Sequence, residues 1–272
     1  MTITTIKKLL EEYQIAPLDS LSQNFFIDRP LLEKMLNKAN IQPGDTVVEI
    51  GPGLGSLTQA LLERDCPVEA FEIDRTLAQI LPKILGNPDN LIVRHKDIME
   101  ASLELSQIPQ PYKVVANIPY HITGGIIRTL LSNTNRPASI TLLIQQEVAR
   151  KLTTDTSSYS LQRLSVEIYA YPTYLLTVPK GCFYPRPKVD SAVIQLTPHT
   201  LFDHIDKEAV IQLAKTAFQY KRKQARSTLI KHTEFSESQL NHAFNSLELA
   251  YDIRPEQISL TEWVSLYNEL HQ

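Results

Sequence analysis

Between residues 45 and 197, short apolar runs rich in β-branched side chains alternate with stretches whose apolar residues recur every three or four positions. The runs are TVVEI (46–50), VEAFEI (68–73), LIVRH (91–95), KVVAN (113–117), ITLLIQQ (140–146) and SAVIQL (191–196). Between them, SLTQALLER (56–64) and TLAQILPKIL (76–85) have helical spacing. Strands alternating with helices predict a parallel sheet, because a parallel crossover needs a helix-length connection. Runs this uniformly apolar predict that both sheet faces are covered, so the expected class is α/β. The strand pattern stops at Thr197–Pro198–His199–Thr200. Beyond it, Val210, Leu213, Ala214, Ala217 and Phe218 form one helical stripe, and Ser259 with Glu262 makes a capping box ahead of Trp263, Leu266 and Leu270. The expected division is a sheet domain over 1–200 and a smaller all-helical domain over 201–272.

Composition narrows the chemistry. A chain of 272 residues that is 43% hydrophobic can bury a sizeable core. Its two cysteines, Cys66 and Cys182, stand far apart with no CxxC pattern, which argues against a disulfide framework or a metal site. With no signal-peptide pattern in residues 1–15 and no run of apolar residues long enough to span a bilayer, a soluble cytoplasmic protein is expected. The net charge of −3 does not announce a nucleic-acid binder. Yet Lys215, Lys221, Arg222, Lys223, Arg226 and Lys231 fall in one stretch without an acid. Alone, that run reads slightly better as a solvated helix face than as a phosphate-binding patch.

Three of the eight glycines, Gly51, Gly53 and Gly55, lie between a predicted strand and a predicted helix. Glycines there let the backbone turn tightly and approach a ligand without a Cβ in the way, although a structural turn uses them equally. The next strand ends at Glu72, suited to accept from the ribose hydroxyls of an adenosine. The strand after that ends at Asp97, suited to accept from an adenine amino group. Each acid alone is more often a cap or a loop residue. Three successive strand tips are harder to dismiss, because ligands bind where such tips converge. Ser56 stands where the third glycine of a GxGxxG fingerprint would be, which shifts weight away from a nicotinamide cofactor.

Asn117–Ile118–Pro119–Tyr120 closes the fourth predicted strand. An exocyclic adenine amine is a poor nucleophile because its lone pair is delocalised into the ring. The Asn117 side-chain oxygen and a backbone carbonyl beside Pro119 can accept its two hydrogens and draw the nitrogen toward tetrahedral geometry. Tyr120 offers a flat face for an extruded base. Transfer from a sulfonium then needs positioning and electrostatics rather than a strong base.

With these residues in place, the chain resembles the ribosomal RNA adenine N6-dimethyltransferase family over nearly its whole length, and within it the small-subunit branch. The resemblance is carried by SQNFF (22–26), EIGPGLGSLT (49–58), FEIDR (71–75), NIPYHIT (117–123), FYPRPKVDSAV (183–193), AFQYKRKQAR (217–226) and RPEQISLTEW (254–263). It implies a class I methyltransferase (Rossmann-like) fold, a seven-stranded mostly parallel sheet with a helical C-terminal domain. It further implies S-adenosyl-L-methionine held by Asn24, Phe26, Gly51, Glu72, Asp97 and Asn117. Asn117, Pro119 and Tyr120 would hold the target adenine, with Phe183 packing on its other face. Arg186, Lys188, Lys221, Arg222, Lys223 and Arg226 are expected to meet RNA phosphates. The implied reaction is dimethylation of two adjacent adenines in the terminal loop of 16S rRNA, on the small ribosomal subunit or its precursor, by a metal-free monomer. Phe26 replaces the family's usual Leu and Ser22 its usual Gly, and the bulkier ring would tighten an adenosine pocket. The nearest rival is the large-subunit (23S) rRNA methyltransferase of macrolide resistance, disfavoured by PRPKVDSAV and ISLTEW. A non-catalytic ribosome-assembly factor is disfavoured by the intact Asn117, Pro119 and Tyr120. A nicotinamide oxidoreductase is disfavoured by scattered histidines.

Overall fold

The central apolar runs are buried on both sides, whereas the LIVRH run at the sheet edge is partly exposed, and helix-length connections close the first five runs into parallel strands. The computed structural model describes residues 1–17, 23–117, 123–154, 158–220 and 222–271. Its strands are β1 (Phe25–Phe26), β2 (Thr46–Ile50), β3 (Val68–Glu72), β4 (Leu91–His95), β5 (Tyr112–Asn117), β6 (Ser139–Gln145), β7 (Ala170–Val178), β8 (Phe183–Tyr184) and β9 (Ser191–Pro198). The helices of the first part are α1 (Ile3–Glu12), α2 (Arg29–Lys38), α3 (Ser56–Leu62), α4 (Arg75–Ile84), α5 (Ser102–Ser106), α6 (Thr123–Ser132) and α7 (Gln146–Thr153). They are followed by α8 (Leu161–Glu167), α9 (Lys207–Phe218), α10 (Ala225–His232), α11 (Glu237–Ser246) and α12 (Leu260–Leu270).

Seven strands form one sheet in the order β4-β3-β2-β5-β6-β9-β7, and β1 pairs with β8 separately. The contiguous strands β4, β3, β2, β5 and β6 are parallel, and β9 runs antiparallel to β6. Val47, Val48, Val114, Val115, Ile140, Leu142 and Ile144 of the central strands are fully buried, as two covered faces require. The chain adds β3 and β4 on one side of β2, then returns to place β5 and β6 on the other. The carboxyl ends of β2 and β5 therefore flank a topological switch point, where an open α/β sheet has a crevice.

Among the described residues, two apolar clusters pack around the site. In the larger one, Leu32, Met35 and Leu36 of α2 pack with Val47, Val115 and Val193 of the sheet. In the smaller one, Ile6 of α1, Phe25 of β1, Leu54 of the glycine loop and Leu77 and Ile80 of α4 come together. Thr2, Asp28 and Asp74 cap α1, α2 and α4 with their side chains, so these starts are written in the sequence.

The chain divides into two compact units, Met1–Thr153 with Tyr171–Pro198, and Thr154–Ala170 with His199–Gln272. Relative to the expected break near residue 200, residues 154–170, which carry α8, fall with the later helices. In that second unit Val210, Leu213, Ala214, Ala217 and Phe218 are buried together on α9, and Trp263 is fully buried on α12. The Ser259–Glu262 capping box opens α12, and a second one, Ser236–Gln239, opens α11.

Candidate functional site

At the end of β2 the backbone enters the left-handed region at Gly51, Gly53 and Gly55, with φ of 68°, 58° and 87°. A Cβ on Gly55 would lie 2.6 Å from Leu81 Cδ1, and one on Gly53 would lie 3.1 Å from the Phe25 ring. The loop is thus pressed against α4 on one side and β1 on the other. That contact leaves Gly53 N–H aimed at the neighbouring strand tip, where it donates to Glu72 Oε2 at 3.0 Å. Glu72 Oε1 accepts from the Asp74 amide at 2.9 Å, so both oxygens are oriented by backbone. Burial raises the Glu72 pKa, and these two amide bonds offset part of the rise.

Asp97 follows β4 and uses Oδ1 to cap the short turn Ile98–Glu100, accepting from Met99 N–H at 2.9 Å. Asn117 ends β5, and its Nδ2 donates to the backbone carbonyl of Asn24 at 3.0 Å. Asn24 reaches that position because Phe25 and Phe26 pair with Tyr184 and Phe183. Asn24, Phe26, Gly51, Glu72, Asp97 and Asn117 all line one cleft at the switch point. The residue pattern singled out Gly51, Glu72 and Asp97 for this place, the family resemblance added Asn24, Phe26 and Asn117, and all six line the cleft.

Glu49 also lines this cleft, and sequence reasoning did not single it out. It is 1% exposed, and its Oε2 meets no hydrogen-bond partner among the described residues. Burial pushes its carboxyl up to about 8, and its approach to Thr58 offsets only part of that. The available signal was an acid inside an otherwise apolar strand, two residues before Gly51.

The arrangement fits an adenosine that carries a cationic tail. Glu72 can accept from a ribose diol, Asp97 retains lone pairs for an amino group, and Ile73 and Ile98 supply apolar walls. The unmatched Glu49 oxygen is a buried polar atom that a polar group of such a ligand can pair with. Gly51 lines the cleft with φ 68°, a backbone conformation a side chain would strain, and a Cβ there would make only an ordinary contact with Asn117 O at 3.6 Å. Among the described residues no cluster of three His, Cys, Asp or Glu side chains could hold a metal ion.

The remaining expected residues distribute differently. Pro119, Tyr120 and Lys221 lie outside the described residues. Phe183 is 3% exposed and meets Phe26 edge-on at 5.1 Å between centroids, a place beneath the cleft wall rather than an open face. Arg186 and Lys188 are exposed between β8 and β9, and Arg222 and Lys223 are exposed between α9 and α10. Arg226 is different. Its side chain is 19% exposed, Nη1 bonds Asn241 and stands 3.7 Å from Glu237, and the guanidinium lies 4.5 Å over the Tyr251 ring.

The family model described as "Ribosomal RNA adenine dimethylase" matches residues 18–272. A "Ribosomal RNA small subunit methyltransferase A" of Protochlamydia amoebophila is 36% identical over 273 residues, spanning 98% of this chain and 95% of the relative. Among solved structures, the 23S rRNA methyltransferase ErmE superposes with a TM-score of 0.69 at 26% identity, over 92% of this chain and 100% of that one. A dimethyladenosine transferase from Plasmodium falciparum superposes with a TM-score of 0.77 at 23% identity, over 91% and 97%, and speaks to the fold.

Proposed function

This chain belongs to the ribosomal RNA adenine dimethylase family, and from that premise we propose a specific reaction. The protein transfers methyl groups from S-adenosylmethionine to the N6 amines of two adjacent adenines in the terminal loop of 16S rRNA, during ribosome biogenesis. The carrying observation is that Asn117 stands in the same cleft as Gly51, Glu72 and Asp97.

When bound, S-adenosylmethionine supplies an electrophilic methyl on a positive sulfur. The protein's residues do the rest. Glu72 holds the ribose, Asp97 the adenine amino group, and Asn24, Phe26 and Gly51 close the wall around them. Asn117 Oδ1 accepts a hydrogen from the target amine, and a carbonyl beside Pro119 takes the other. The nitrogen lone pair then localises toward the methyl. Tyr120 stacks on the extruded base, and Phe183 supports the cleft through Phe26. No general base is assigned, because the amine loses its proton readily once methylated.

The small-subunit assignment is supported by relatives of that name at 31–36% identity, against 26% for ErmE. The sheet unit performs the chemistry and the helical unit recognises the particle. Arg186, Lys188, Lys221, Arg222 and Lys223 contact phosphates, and the enzyme acts as a cytoplasmic monomer. Among the described residues no helix is long and apolar enough to cross a membrane.

The test is mass analysis of rRNA after incubating the protein and S-adenosylmethionine with unmodified small or large subunits. Dimethyladenosine in the small-subunit RNA is expected. Modification confined to large-subunit RNA, or none in either, overturns the proposal. Asn117→Ala should lower turnover by about 100-fold or more while cofactor affinity, measured by calorimetry, changes only a few-fold. Unchanged turnover would remove Asn117 from its role.

A further inference from the structure

A side-chain amide has two chemically opposite ends, and half a turn about χ2 exchanges them. Only the oxygen of Asn117 can receive a hydrogen from an adenine amine; its NH2 would meet donor with donor. Which end faces the cleft is decided by what holds the other. Nδ2 donates to the Asn24 carbonyl at 3.0 Å, and a backbone carbonyl can only accept, so the amide is locked in one sense.

That carbonyl is itself held from both directions. Upstream, Gln23 Nε2 donates to Asp74 Oδ2 at 3.3 Å. Asp74 is fixed in turn, since its Oδ1 accepts from the Thr76 and Leu77 amides at 2.8 and 3.1 Å at the start of α4. Downstream, β1 pairs with β8, and Ile27 N–H donates to the Cys182 carbonyl at 2.8 Å. The seven-stranded sheet needs none of these bonds. Together they place one carbonyl beside one amide 93 residues away in sequence.

We propose that the Asn24 backbone carbonyl is a positioning group for methyl transfer, holding the Asn117 amide with its oxygen toward the target amine. The proposal rests on the methyltransferase reading above. It assigns Asn117 a donor duty as essential as its acceptor duty, and the two duties can be separated.

Asn117→Asp separates them. An aspartate accepts from the amine at least as well as an amide does. Ionised, however, it sets an oxygen against the Asn24 oxygen with no hydrogen between them. Protonated, it regains both a donor for Asn24 and an acceptor for the amine. Other charged groups share the cleft: Glu49 on β2, Glu72 on β3, Lys96 and Asp97 after β4; Asp74 opens α4. Dividing each variant rate by the wild-type rate at the same pH removes their titration.

The measurement is kcat of N117D relative to wild type between about pH 6 and 9, with cofactor affinity followed by calorimetry to confirm a folded site. If the donor duty is real, the ratio rises by up to about tenfold for each unit of falling pH. A ratio that is flat, or that rises with pH, overturns the proposal. Gln23→Glu tests the anchor independently by setting a second carboxylate against Asp74. It should lower kcat more than it raises KM for RNA, and its effect should shrink in the N117D background at high pH, where the lock is already broken. Effects that simply add overturn the link from anchor to amide. Failure of wild type to methylate RNA would instead sink the underlying reading.

Discussion

At the scale of single residues, Glu49 shows how a fold changes the chemistry of a group that sequence leaves ordinary. TVVEI carries one acid inside an otherwise apolar run. β2 lies mid-sheet with both faces covered, so the carboxyl is buried with one oxygen unmatched, and its pKa rises to about 8. The folded state keeps a proton that the unfolded chain sheds in the ordinary carboxylate range. Stability is therefore greatest below that range and falls as pH rises toward about 8. Glu49→Gln removes the titration at nearly constant volume, so the decline of Tm between about pH 6 and 8 should flatten in the variant. Parallel Tm–pH curves for the two proteins would deny Glu49 this part. Glu72 and Asp97 were legible because strand tips converge whenever a parallel sheet forms. The unmatched oxygen of Glu49 was not, because it depends on which side chains pack against the strand.

At the scale of elements, six apolar runs became β2 to β6 and β9, while β7 carries no such pattern. Pro172 interrupts it, and proline within a strand argues against one unless it lies at an edge. β7 is the last strand of the sheet, so the proline is tolerated there. β1 and β8 span two residues each and have no period to read, yet they carry Asn24 and Phe183 into place. The glycine loop couples to β1 through Phe25. Gly53→Ala forces a Cβ into a left-handed residue 3.1 Å from that ring, whereas Gly44→Ala, also left-handed at φ 82°, meets nothing within 4 Å. Both variants bear the backbone strain, about 1 kcal/mol. Only the first should also weaken S-adenosylmethionine binding, because a displaced Phe25 drags Asn24 with it. Urea unfolding and calorimetric titration of the two variants measure these effects, and equal cofactor affinity in both would show that the loop and β1 are not coupled.

At the scale of the whole molecule, a net charge of −3 conceals a segregation. The six basic residues of 215–231 leave the rest of the chain acidic on balance, and the helical unit that contains them is itself net acidic, so a polyanion is drawn to that one stretch rather than to the unit as a whole. The run looked uniform in sequence, but its members have different surroundings. Arg222 and Lys223 are exposed, with Lys223 5.3 Å over the ring of Tyr220, which stacks on His232 at 4.7 Å. Arg226 is engaged by Asn241, Glu237 and Tyr251, and its Nε is buried without a partner among the described residues. Spacing alone could not separate them, since α10 starts only at Ala225 and turns Arg226 toward α11. Two variants distinguish phosphate binding from packing. Neutralising Arg222 and Lys223 to Gln should reduce the slope of log affinity for RNA against log salt by roughly 0.7–0.9 per phosphate left unneutralised, with Tm nearly unchanged. Arg226→Gln should leave that slope in place and lower the Tm of the protein, because it breaks a partly buried network. A reversed pattern, with the slope following Arg226 and the stability following its neighbours, would return the exposed residues to a merely solvated face and make Arg226 the phosphate ligand.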